Sequence, residues 1–133
     1  MKYLLDTNTC IRYLNGRSPA VFERLNALSP ADVCVCSIVK FELRYGALRS
    51  DYVDKTLAEQ EKFLKQFVSL PFDDAAHHHA AQIRANLART GTPVGPYDLL
   101  IASIALANEL SLVTHNTREF ERIAGLQIDD WEV

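Results

Sequence analysis

From Pro96 the chain reads PYDLLIASIALA, and of the nine residues from Leu99 to Ala107 only Ser103 is polar. Pro96 stands where the first residue of a helix would be, because a proline there sacrifices no hydrogen bond. A helix apolar nearly all round has no face to offer water and must be enclosed by the rest of the domain. In a chain of 133 residues, the natural enclosure is the centre of a sheet with further helices against it. Asp98 heads this helix. A carboxylate in such surroundings is costly unless it is paired or bound to a metal.

The remaining segments supply that sheet. KYLLD (2–6) reads as a short buried strand running into a helix over TNTCIRYL. Ser18 and Pro19 open a helix with Val21, Phe22, Leu25 and Leu28 at helical spacing. DVCVCSI is a second strand, and Ser37 is placed to cap the helix IVKFELRYGALR. An amphipathic helix follows, with Val53, Leu57, Leu64, Phe67 and Val68 on one face. VSLPF reads as a short strand, DDAAHHHAAQIRANLART as a helix ended by Gly91, and GTPVG as the loop into the apolar helix at 96–109. LSLVT is a strand, TREFERI a short helix and LQID an edge strand. Strands alternating with helices predict an α/β fold: one domain over residues 1–133, with a central, mostly parallel sheet flanked by helices.

Composition narrows the partners. A net charge of −3 gives no global attraction to nucleic acid, so RNA binding would need a local basic patch or metal ions. Arg12, Lys40, Arg44, Arg84, Arg89 and Arg118 are the candidate phosphate contacts. Asp6 interrupts the apolar start of MKYLLDTNTC, which excludes a signal peptide, and no run approaches the roughly 18 apolar residues that span a bilayer. Three cysteines, an odd number without a C-x-x-C pair, read as buried thiols in a reducing cytoplasm.

Most of the seventeen Asp and Glu lie in polar runs such as AEQEK and IDDWEV, where a solvated face is expected. Three do not. Asp6 ends an apolar strand, Glu42 interrupts SIVKFELRYGAL, and Asp98 heads the apolar helix. Each has a structural explanation by itself. Asp6 could cap a helix for ~1 kcal/mol, Glu42 could pair with Lys40 or Arg44, and Asp98 could gain ~0.3–1 kcal/mol from the helix dipole. Their joint placement favours another role. In an open parallel sheet the carboxyl ends of the strands form the ligand crevice, and these three acids belong at that edge with Thr114, His115 and Asn116. Three converging carboxylates would raise one another's pKa. Mg²⁺ or Mn²⁺, which take oxygen ligands and bridge to phosphate, would resolve the repulsion and suit phosphodiester hydrolysis.

The stretches LLDTN, FELRYGA, IRANLARTGTPVGPYDLLIASIAL and LVTHNTREFERI, in this order and with GLQIDDW after them, resemble PIN-domain ribonucleases, and more closely the VapC toxins of bacterial toxin–antitoxin pairs. The resemblance covers nearly the whole chain. It implies a Mg²⁺- or Mn²⁺-dependent endoribonuclease, silenced by a cognate VapB-like antitoxin and paired as a homodimer, with Asp6, Glu42 and Asp98 as the metal-site acids. It points especially to the branch that cuts initiator tRNA in the anticodon stem-loop. The chain departs from the family at one position: Asn116 stands where many PIN domains carry a fourth acid. An amide can orient a water but supplies no charge, and Glu119, three residues on, could project to the same face.

Other features carry less. The adjacent His77, His78 and His79 point about 100° apart on a helix and cannot close on one ion. His115 lies beside the proposed site, where it could protonate a leaving oxygen, contact substrate or do neither, and Trp131 reads as a packing anchor. An aspartyl phosphotransferase would want an acid at position 8, which is Asn8. A housekeeping PIN nuclease remains an alternative, as does a non-catalytic acidic pocket that receives an Arg from a partner.

Overall fold

The computed structural model describes residues 1–133. Five strands, β1 (Tyr3–Leu5), β2 (Val33–Cys36), β3 (Val68–Leu70), β4 (Ser111–Val113) and β5 (Ile128–Asp129), form one sheet in the order β3-β2-β1-β4-β5. Every neighbouring pair is parallel, so the sheet is wholly rather than mostly parallel. The apolar runs explain it: Leu4, Leu5, Val33, Cys34, Val35, Cys36, Leu112 and Val113 are all buried, as strands covered on both faces require. The chain builds outward from β1 to β3, then crosses to the other side of β1 for β4 and β5. The reversal lies between β1 and β4, and the crevice of such a sheet opens at the carboxyl ends of those two strands.

The helices are α1 (Thr7–Leu14), α2 (Pro19–Asn26), α3 (Ser37–Leu48), α4 (Val53–Leu64), α5 (Asp74–Thr90), α6 (Pro96–Ala107) and α7 (Thr117–Phe120). Helix α6 is the enclosed one. Leu99, Ile101, Ala102, Ser103, Ile104 and Ala105 are buried, and α6 packs against α5, α3 and β4. The Ser103 hydroxyl, fully buried, donates to the Leu99 carbonyl at 2.7 Å, which satisfies the one polar group of the run. Gly91 closes α5 in the left-handed conformation, φ 67°, which a side chain would strain. No helix is long and apolar enough to cross a membrane.

Three local expectations are corrected. Cys36, not Ser37, is the cap residue of α3, and the Ser37 hydroxyl instead donates to the Leu70 carbonyl. Helix α4 stops at Leu64, so Phe67 and Val68 are not on its face; Val68 begins the edge strand β3 and is half-exposed. Helix α6 ends at Ala107 because Glu109 takes a positive φ of 55° that no helix continues through. The three cysteines are free and buried, and burial pushes Cys34 up to about 12 and Cys36 up to about 11. These are unreactive packing groups.

Candidate active site

Asp6 leaves the carboxyl end of β1 and caps α1, its Oδ1 accepting from the Thr9 backbone N–H at 2.8 Å. The β1–β4 ladder extends to it, since the Asp6 N–H donates to the Val113 carbonyl at 3.1 Å. The carboxylate is 4 % exposed. Burial raises its pKa, hydrogen bonds from Thr114 and Thr9 oppose the rise, and the charge of Glu132 adds to it. The cap is therefore real and fixes the position of the carboxylate.

Glu42 comes from the second turn of α3, where its Oε1 accepts from the Thr7 hydroxyl at 2.7 Å. Thr7 directly follows Asp6, so the start of α1 orients both acids. Lys40 and Arg44 are each two residues from Glu42, about 200° around the helix, and so face its opposite side. There they line, with Lys65, a cavity of about 500 Å³. Neither pairs with Glu42.

Asp98 is in the first turn of α6. Burial pushes its carboxyl up to about 7, with the charges of Glu119, Glu42 and Asp6 adding to the rise, and a hydrogen bond to Glu119 in the same direction. That set of neighbours brings the four acids into one cluster. Glu119 enters from α7, its Oε1 accepting from the Gly95 N–H at 2.7 Å while Asn116 Nδ2 donates to Oε2. Asn116 thus orients Glu119, and its own N–H donates to the Thr114 hydroxyl at 3.0 Å. Asp98 and Glu119 close on the amino end of α6 from two sides, where the backbone dipole favours negative charge.

None of the four acids has a cationic partner. The ion pairs of the protein are Arg12–Glu132, Arg24–Asp129, and His115 with Asp130 and Glu132. Four acids sharing a crevice with no Lys, Arg or His within 4.0 Å form a donor set of hard oxygens that calls for a cation. They do not form a tight cage, since the one trio of His, Cys, Asp or Glu donors within 4.8 Å of one another is His115, Asp130 and Glu132. A spread carboxylate set fits an ion that keeps part of its water shell, as Mg²⁺ does.

Of the other sequence candidates, Arg12 pairs with Glu132 at 3.8 Å. Arg89 is held by Asn86. His77, His78 and His79 are exposed on α5, and Trp131 is a buried anchor edge-on to Tyr3. Residues that sequence reading passed over are Thr7, Gly95 and Glu132. A methyl at Gly95 would sit 3.5 Å from both Asp98 Oδ2 and Glu119 Oε1, an ordinary contact at an ordinary φ of −53°. Gly95→Ala is therefore expected to fold as before and yet lose about tenfold in any reaction at these acids. An apolar group would occupy space where water or a cation approaches them. Paired thermal melts and rate measurements would check this, and an unchanged rate would show that the space is unused.

Comparison with known proteins agrees with the fold. The PIN domain family matches residues 3–126. The tRNA(fMet)-specific endonuclease VapC of Salmonella typhimurium is 47% identical over 131 residues, covering 98% of both chains. Its Shigella flexneri counterpart is 45% identical over the same share. The chain superposes on the crystal structure of DNA-bound VapBC from Salmonella typhimurium with a TM-score of 0.93 and 46% identity over 98% of each chain. On VapBC2 from Rickettsia felis, bound to a promoter DNA fragment, the TM-score is 0.91 at 32% identity, covering 98% of this chain and 99% of that one.

Proposed function

The chain belongs to the PIN-domain family, among the VapC ribonucleases, and on that premise we propose that it is a toxin that hydrolyses a phosphodiester bond of initiator tRNA with Mg²⁺ or Mn²⁺. The observation that carries the reading is the group of four carboxylates, Asp6, Glu42, Asp98 and Glu119, without a cationic partner at the switch point of a parallel sheet. Identity of 45% and 47% over 98% of both chains to tRNA(fMet)-specific relatives supports the substrate, and a tRNA substrate fits a cytoplasmic protein.

Asp6, Glu42 and Asp98 would hold the ion, with Glu119 as the fourth acid in place of the family's usual one. When bound, the ion supplies a Lewis acid that activates water and offsets charge on the scissile phosphate. The chain's own residues set the conditions. Asp6 is fixed by the Thr9 N–H, so it presents its charge without reorganising. Thr7 holds Glu42, and the Gly95 N–H and Asn116 hold Glu119. Asp98, near neutrality, sheds its proton in the physiological range. No side chain serves as nucleophile.

Two partners follow. An antitoxin of the VapB kind would silence the enzyme, and an arginine from it would satisfy the unpaired acids directly. A second copy would cover the ridge of Phe41, Tyr45 and Leu48, which lie at helical spacing on α3 and are each at least half exposed. Antitoxin-free protein, incubated with total tRNA and Mg²⁺, is expected to cut initiator tRNA in the anticodon stem-loop and to leave elongator tRNAs intact. Equal cutting of all tRNAs would favour a general PIN nuclease. Binding of an antitoxin without any cleavage would leave the acidic pocket as a docking module.

A further inference from the structure

His115 follows β4, and Asp130 and Glu132 follow β5, so two adjacent parallel strands deliver them to one edge. His115 Nδ1 lies 2.9 Å from Asp130 Oδ2 and 4.0 Å from Glu132 Oε2. All three donor atoms are within 4.8 Å of one another. The second oxygen of each carboxylate is already engaged. Asp130 Oδ1 accepts from the Glu132 N–H at 2.9 Å, and Glu132 Oε1 faces Arg12 Nε at 3.8 Å. The remaining oxygens are thereby turned toward the imidazole.

The backbone between the two acids is rigidly placed. Trp131 is 2 % exposed, its ring 5.4 Å from that of Tyr3, and its Nε1 donates to Asp129 Oδ2 at 3.1 Å. The acids are nearly buried, with side chains 13% and 15% exposed, whereas the imidazole is 55% exposed and leaves a path from solvent. Bonds of about 2.1 Å put adjacent ligand atoms roughly 3.0 Å apart in an octahedron and 3.4 Å apart in a tetrahedron. The His115–Asp130 and His115–Glu132 separations of 2.9 and 4.0 Å bracket these values, so small side-chain rotations would complete the geometry.

We propose that His115, Asp130 and Glu132 form a second cation site, distinct from the four acids, for a divalent transition ion of the Zn²⁺, Co²⁺ or Mn²⁺ class. One nitrogen and two oxygen donors suit these ions and disfavour Mg²⁺, which prefers oxygen throughout. The Glu132 N–H, donating to Asp130, and Arg12, facing Glu132, hold the two carboxylates in place as the partners of metal ligands do. The site is independent of RNA cleavage by the chain.

The test uses Trp131, the one tryptophan of the chain, which is flanked in sequence by two of the three ligands. Co²⁺ is titrated into an Asp6→Asn, Asp98→Asn double variant, which lacks two acids of the catalytic cluster, and Trp131 fluorescence is followed. Saturable quenching with one ion per chain is expected, moved to at least tenfold higher Co²⁺ by His115→Ala or Asp130→Asn, and relieved by Zn²⁺ but not by equal Mg²⁺. The unsubstituted chain must show the same shift on His115→Ala, which keeps the test valid if the double variant fails to fold. Quenching that never saturates, that ignores His115→Ala, or that disappears in a folded Asp6, Asp98 double variant would overturn the site.

Discussion

Asp98→Asn protein is expected to cleave RNA about a thousandfold more slowly than the unsubstituted chain and, at pH 8 without added cation, to melt at a higher temperature. The two effects have one origin. Asp98 sits among Glu119, Glu42 and Asp6 with its carboxyl pushed up to about 7, so at pH 8 it carries a charge that its surroundings resist. An amide of the same shape removes that charge and with it the cation's ligand. The pH dependence follows from the direction of the shift. In the unfolded chain this carboxyl titrates near 3.8, and in the native state near 7. Between those values the native state holds a proton that the unfolded chain has released. The contribution of Asp98 to stability is therefore greatest below the lower value, declines as pH rises through the window and is lost above about 7. Melts of the two proteins from pH 4 to 8 should converge at the acid end and separate at the alkaline end. A variant that melted lower at every pH, or that kept its cleavage rate, would place Asp98 in a structural role only.

Such a strained carboxylate is what stability alone would remove. Helix α6 needs an acid in its first turn for at most about 1 kcal/mol of dipole energy, and an exposed one would supply that without crowding three others. The buried, repelling arrangement is the departure from local consistency that marks a functional site.

Much of this was legible in the sequence, for identifiable reasons. The enclosure of α6 follows from an apolar run with no polar face, and the parallel sheet from alternation of short apolar strands with amphipathic helices. Asp6, Glu42 and Asp98 could be singled out because they end an apolar strand, interrupt an apolar helix and head an apolar helix, respectively. Glu119 could be reached by three-residue spacing from Asn116. The Thr7 to Glu42 bond spans 35 residues and has no local signature. Glu132 was hidden in a polar tail, IDDWEV, that reads as solvated; the buried Trp131, edge-on to Tyr3 of β1, and the Arg12–Glu132 pair hold that tail, with Glu132 within electrostatic reach of Asp6. Lys40 and Arg44 flank Glu42 in sequence, and two residues of helix carry each to the far side.

Chelation with EDTA is expected to abolish cleavage, and adding Mn²⁺ to the chelated protein should raise its melting temperature more at pH 8 than at pH 5.5. A cation binds the carboxylates in their charged form, so at pH 5.5 it must displace the proton that Asp98 retains, and at pH 8 it need not. Stabilisation grows with the logarithm of cation concentration over its dissociation constant, so the weaker apparent affinity at pH 5.5 appears directly as a smaller gain. Asp98→Asn should lose the share of this gain that its own carboxylate supplies. The repulsion among Asp6, Glu42, Asp98 and Glu119 makes the outcome decisive. If the cluster served only to receive an arginine from a partner, a divalent ion could still settle there and raise the melting temperature, but EDTA would have no cleavage to abolish. If the reaction needed no ion, cleavage would survive EDTA, and four carboxylates without a cation would then repel the phosphate they are meant to cut.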